Sequence, residues 1–255
     1  MRVTLAICLI SATFVVAQEN RLTFEVASIR PTKPDGSGPS IIPMSAGQGY
    51  EAESAPVRLM ISVMYRIPIA NVRGGPSWLD SELWNVEAKA DHAYGLDDLH
   101  KMFRHLLEDE FKLKFHKETK EGQVYALVVD KSGSKMKTNE NPPDFETPID
   151  GHLGGVAAGK RVSMEYLCYW LQQRLTNDGG RPVINKPGLT GYYDFKLTYM
   201  PELPPGFDKA NMPPEMLDRP SLFDALRGQL GLKLEAQKGP VDYYVIDHVE
   251  RPSGN

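Results

Sequence analysis

Apolar and non-apolar residues alternate over four short stretches of this chain: 84–88, 111–115, 193–197 and 230–234. A period of two is the mark of a half-buried strand. Helical spacing appears between them. Phe103, Leu106 and Leu107 stand at i, i+3, i+4, and so do Leu222, Ala225 and Leu226. Two further helices are predicted over 56–65 and 164–175. Pro56 suits a first helical turn, and Ser163 an N-cap. Ser221 followed by Asp224 reads as an N-terminal capping arrangement.

These elements come in the same order twice. The apolar trio before Phe111 sits at the same offsets as the trio before Leu230, and the stretch 84–88 parallels 193–197. Gly122 to Asp130 aligns without a gap on Gly239 to Asp247, each read as a turn followed by a β-rich run. Each half therefore reads strand, helix, strand, strand, helix, strand, strand. The expected fold is α+β: two tandem diverged units with mostly antiparallel sheets and helices packed on one face. Unit one covers 22–134 and unit two 160–252. The stretch 135–159, rich in Gly, Pro and Asn without an apolar period, is expected to be a linker or long surface loop. Within unit two, 201–220 carries six prolines and has only a short counterpart in unit one, so it reads as an insertion.

The beginning of the chain changes the setting. Arg2 precedes a short apolar run, and Val15, Val16 and Ala17 present small or β-branched residues, so 1–17 is expected to be a signal peptide cleaved after Ala17. Its length falls short of the ~20 residues that a spanning helix needs. Loss of the leader removes Cys8 and leaves Cys168 as the single cysteine, so stability must come from a core instead of a disulfide. It also leaves 28 basic residues (29 less Arg2) against 33 acidic ones. That balance gives no bulk electrostatic reason to bind nucleic acid or anionic lipid. No later segment is apolar enough to span a membrane. The expected location is outside the cytoplasm, periplasmic or secreted.

Several stretches carry a family likeness. They are Phe24-Glu25-Val26-Ala27-Ser28-Ile29-Arg30-Pro31, Gly74-Gly75-Pro76-Ser77-Trp78-Leu79, the run from Asn185 to Phe195, and the end from Pro220 to Pro252. In these the chain resembles a secreted family of soil acidobacteria (Solibacter-type) catalogued as a domain of unknown function, number 3738. Pro187 departs from the family pattern, which has Thr there. The resemblance implies an extracytoplasmic protein with a connection to envelope sensing or signalling, since related domains occur fused to membrane metallopeptidases of the antibiotic-sensor type. A fainter similarity, over 222–234, is to short N-terminal domains of secretins and TonB-dependent receptors, and is an analogy of fold alone.

Candidate chemistry thins out on inspection. Cys168 lies on the apolar face of its helix and takes the place of Met60 in the other half, which predicts a buried, inert thiol. His100 and His105 are five apart, so they diverge around a helix, and no paired ligand motif is present. They are expected to be exposed, and neither a metal nor a cofactor is expected. Glu108, Asp109 and Glu110 read as a solvated charge run. The glycines near Gly74 and Gly188 read as tight turns.

Aromatic residues carry the remaining functional expectation. Trp78 and Tyr192 stand at turn–strand junctions with no apolar period to absorb them. Phe207, Met212, Met216 and Leu217 stand on the proline-rich insertion in the same condition. Together they are the expected contact residues for an unknown ligand or envelope protein. The first reading is a non-catalytic binding module. The alternative is a secreted or periplasmic hydrolase of envelope or environmental polymers, with residues drawn from loops.

Overall fold

In a computed structural model, the described residues are 21–253 except 35, 37, 141–148, 151–154, 176–180, 187–188, 204–205, 207 and 209–211. The leader and Phe207 therefore lie outside the described residues. The fold is α+β with mostly antiparallel sheets.

The first sheet is built from β1 (Val26–Thr32), β2 (Ser40–Pro43), β3 (Gly49–Pro56) and β5 (Leu83–Lys89), in the order β1-β5-β3-β2. Every pairing in it is antiparallel. Alternation puts Tyr50, Ala52, Trp84, Val86 and Ala88 inward. Against that face pack α1 (Val57–Tyr65) and α3 (Leu96–Glu110).

The chain's second half repeats the arrangement. Here β7 (Lys137–Thr138), β8 (Ile149–Asp150), β9 (Val156–Ser163) and β11 (Tyr192–Thr198) run in the order β7-β11-β9-β8. The helix α4 (Met164–Gln172) follows β9 as α1 follows β3. The side chain of Ser163 accepts from the amide of Tyr166, the N-cap bond expected of it. Near the end, Ser221 caps α6 (Leu222–Ala225), which runs on as a π-turn to Leu230.

A matched irregularity marks the two halves. Ser54 and Arg161 each stand two residues before their helix cap, with φ of 47° and 50°. Each sits at a register break of its ladder. The Ser54 amide donates to Asn85 Oδ1 at 2.9 Å, and the Arg161 amide donates to Asp194 Oδ1 at 2.8 Å. A bulge leaves an amide without a ladder partner, and in both places an Asx side chain from the neighbouring strand takes it.

Three expectations need correction. Gly122 and Gly239 do not make turns. Each lies within one continuous strand, β6 (Lys114–Val129) and β12 (Leu232–His248), which pair antiparallel along nearly their full length. They are needed as glycines because the ladder is crowded, not because it bends. Next, 135–159 is more than a linker: it supplies β7, β8 and the start of β9. Strands of two residues leave no periodic trace for a reader of sequence. Finally, the units are not closed. The short strand β4 (Val72–Gly74), from the first half, pairs in parallel with β12, while β10 (Val183–Asn185), from the second, pairs in parallel with β6. The central sheet, β10-β6-β12-β4, thus joins both halves. These exchanges set Tyr125 in correspondence with Tyr244, two residues away from the gapless match of Gly122 with Gly239. A slip of two preserves the faces, so the alternation gave no warning.

The insertion returns to its starting point. The Met200 amide donates to the Pro220 carbonyl at 2.8 Å, and between them the short helix α5 (Pro214–Leu217) forms. A four-residue helix, α2 (Trp78–Ser81), completes the set. Among the described residues no helix is long and apolar enough to cross a membrane.

Candidate functional site

The seam where α4 of the second half meets α1 and α3 of the first holds two adjoining clefts, of about 350 Å³ and about 250 Å³. Leu96 and Tyr166 line both and divide them.

The larger cleft is charged. Arg66 ends α1 in the left-handed conformation, φ 53°, which turns its side chain back across the seam. Its guanidinium bonds Asp97 Oδ1 and lies 5.4 Å from the centre of the Tyr166 ring. Asp97 and Asp98 occupy the first turn of α3, the favourable end of its dipole. Arg161 arrives from the bulge of β9, and Glu165 from the first turn of α4. Tyr192 completes the wall.

The smaller cleft is aromatic and apolar. Tyr50, Tyr169 and Trp170 line it with Ile41, Val63 and Leu96. Inside it the Tyr50 hydroxyl meets His100 Nε2 at 3.1 Å, both side chains being buried. Burial lowers the His100 pKa to about 3, helped by the cations Arg66 and Arg104, so its imidazole is neutral. Burial also raises Tyr50, and lifts Tyr166 to about 12. The Arg174 guanidinium stands 4.8 Å from the Trp170 ring, which in turn meets Tyr199 edge to face at 5.9 Å.

Of the residues expected at a site, Tyr192 lines the larger cleft and is half-buried. Trp78 is buried in the core, with Arg251 stacked over its ring at 5.0 Å. Its expected exposure is overturned because α2 turns the indole inward, an effect of one helical turn too short to show a period. Met212 is buried too, contrary to the expectation of an unabsorbed insertion residue. Met216 is half-buried and Leu217 exposed.

His100 is likewise buried and not exposed. Its signal was present: it falls at i+4 from Leu96 and i−3 from Phe103, inside the apolar stripe of α3. Cys168 is buried as expected, its pKa raised to about 12 by desolvation and then by the neighbouring Glu165. In the charge run Glu108 and Asp109 are exposed and Glu110 is half-buried, with Arg21 bonding Asp109 and Glu108 at 2.8 and 2.7 Å. Gly74 and Gly75 hold positive φ as turn glycines. Among the described residues no group of three His, Cys, Asp or Glu is placed to hold a metal.

A family profile, "Protein of unknown function (DUF3738)", matches residues 58–249, well over half the chain. The chain belongs to that family. The matched region of this DUF3738 protein runs from the first residues of α1 to beyond β12, so it takes in α3 and α4, while Ile41, Ile42, Pro43 and Tyr50 of the smaller cleft precede it. No curated protein and no solved structure matches the chain.

Proposed function

We propose that this DUF3738 protein is an exported, non-catalytic module, built by duplication of one α+β unit, that takes a ligand or protein partner at the seam between its halves. One observation carries the reading: both clefts lie where the two halves meet, with Tyr166, Tyr169 and Trp170 from α4 facing Tyr50 and Leu96 from the first half. Concave, mostly apolar sites with a few convergent polar groups are the usual form of a binding pocket. Duplication is supported by the paired bulges and by the shared strand order. Export is supported by the apolar leader in the sequence. The insertion stays part of the reading through Leu217, 46% exposed at its tip helix.

The test is a thermal-shift screen of the mature protein against envelope extracts and small-molecule sets, repeated on Tyr169→Ala and Tyr192→Ala. Both tyrosines are partly exposed, so the variants should fold. Hits that disappear in either variant support the seam. Hits that persist in both sink it. Turnover of a polymer, abolished by His100→Gln, would establish the hydrolase instead.

A further inference from the structure

The two clefts differ in charge, and the difference names a ligand class for the smaller one. The larger cleft is lined by Asp97, Asp98 and Glu165 as well as two arginines. No carboxylate lines the smaller cleft among the described residues, and Arg174 is its one cation, His100 being neutral. Its floor and walls come from Val63, Leu96 and Tyr169.

Trp170 adds a second observation. It lines the same cleft at 3% exposure, and the Arg174 guanidinium lies 4.8 Å from the centre of its ring, which holds the cation at the cleft wall. Size sets the last limit. A dry cavity of about 150 Å³ admits benzene, so about 250 Å³ takes one ring with a short chain.

We propose that the smaller cleft binds a small hydrophobic carboxylate, an aryl or short alkyl acid, with its apolar part between Val63, Leu96 and Tyr169 and its carboxylate at Arg174. The inference rests on the seam reading and gives it a chemistry. A guanidinium facing an apolar wall favours an anion over its neutral or cationic isostere, because a charge-assisted bond is stronger than a neutral one and a cation is repelled.

Isothermal titration of the mature protein with 3-phenylpropionate, 3-phenylpropanamide and 3-phenylpropylamine tests it. The acid should bind saturably at one site, the amide at least tenfold more weakly, and the amine more weakly still. Arg174→Gln should abolish the preference for acid over amide, while Arg174→Lys keeps it, which guards against a fold defect in the first variant. Equal binding of acid and amide by the unaltered protein would overturn the proposal. So would a preference that survives in a folded Arg174→Gln protein, or no binding of the acid. If the amide binds as well as the acid and Tyr169→Ala removes it, the ligand class is wrong and the seam stands.

Discussion

Gly122 lies directly opposite Gly239 in the central ladder, and a methyl group on either would strike a valine of the other strand. A Cβ at Gly122 would come within 2.8 Å of Val241 Cγ2, and one at Gly239 within 2.8 Å of Val124 Cγ2. Each glycine thus makes room for the valine diagonal to its partner. Gly122→Ala should destabilise the fold by about 1–3 kcal/mol, the usual cost of overpacking. Adding Val241→Ala should recover part of that loss, because the two sites share one contact. Urea denaturation of the single and double variants checks this, and simple additivity would count against it.

Lys112 and Gly231 stand at corresponding places after helices, both left-handed, with φ of 51° and 66°. Only one of them needs to be glycine. A Cβ at Gly231 would meet the Gly133 carbonyl oxygen at 1.9 Å. Gly231→Ala should therefore be severely destabilising. Lys112→Gly should be neutral or stabilising by up to ~1 kcal/mol, since it relieves the left-handed conformation of an L-residue. Thermal melting of the pair decides between this asymmetry and a shared requirement.

His100 makes stability depend on acid. Its folded pKa is about 3 against an ordinary 6.5, so between those values the unfolded chain binds more protons than the folded one. Stability is fully present above about pH 6.5 and is lost as pH falls toward 3, with a slope of at most ~1.4 kcal/mol per pH unit. His100→Gln retains a partner for Tyr50 and removes the titration. Its stability profile should be flatter between pH 4 and 6, and an unchanged slope would assign the acid sensitivity elsewhere.

Cys168 shows what the alternation of apolar residues can convey. The helical face that carries it was readable, and so were the strand pattern, the caps at Ser163 and Ser221 and the α+β class. The seam was not. Its residues lie on β2, β3, α1, α3, β9, α4 and β11, far apart in the chain, and the exchange of β4 and β10 ties the halves that carry them. His100 was within reach, because a histidine inside an apolar stripe belongs to the interior unless its helix faces water. Trp78 was out of reach, since its single helical turn has no period to read.

The thiol itself gives a kinetic prediction. Burial lifts its pKa to about 12 from 9, so a thiol reagent at pH 8 should label Cys168 only as fast as the protein opens. Because the unfolded thiol ionises first, stability should decline as pH rises above about 9. Cys168→Ala should cost ~1–2 kcal/mol through a small cavity and leave ligand binding intact. Rapid labelling of the folded protein would contradict the burial.

The joint origin of the binding site is tested most directly by mapping amide chemical shifts as a screened ligand is titrated into the mature protein. Residues 95–100 of the first half and 166–174 of the second should shift together and saturate at the same ligand concentration. Shifts confined to one half, or to the outer face of the first sheet, would contradict a site made by both halves.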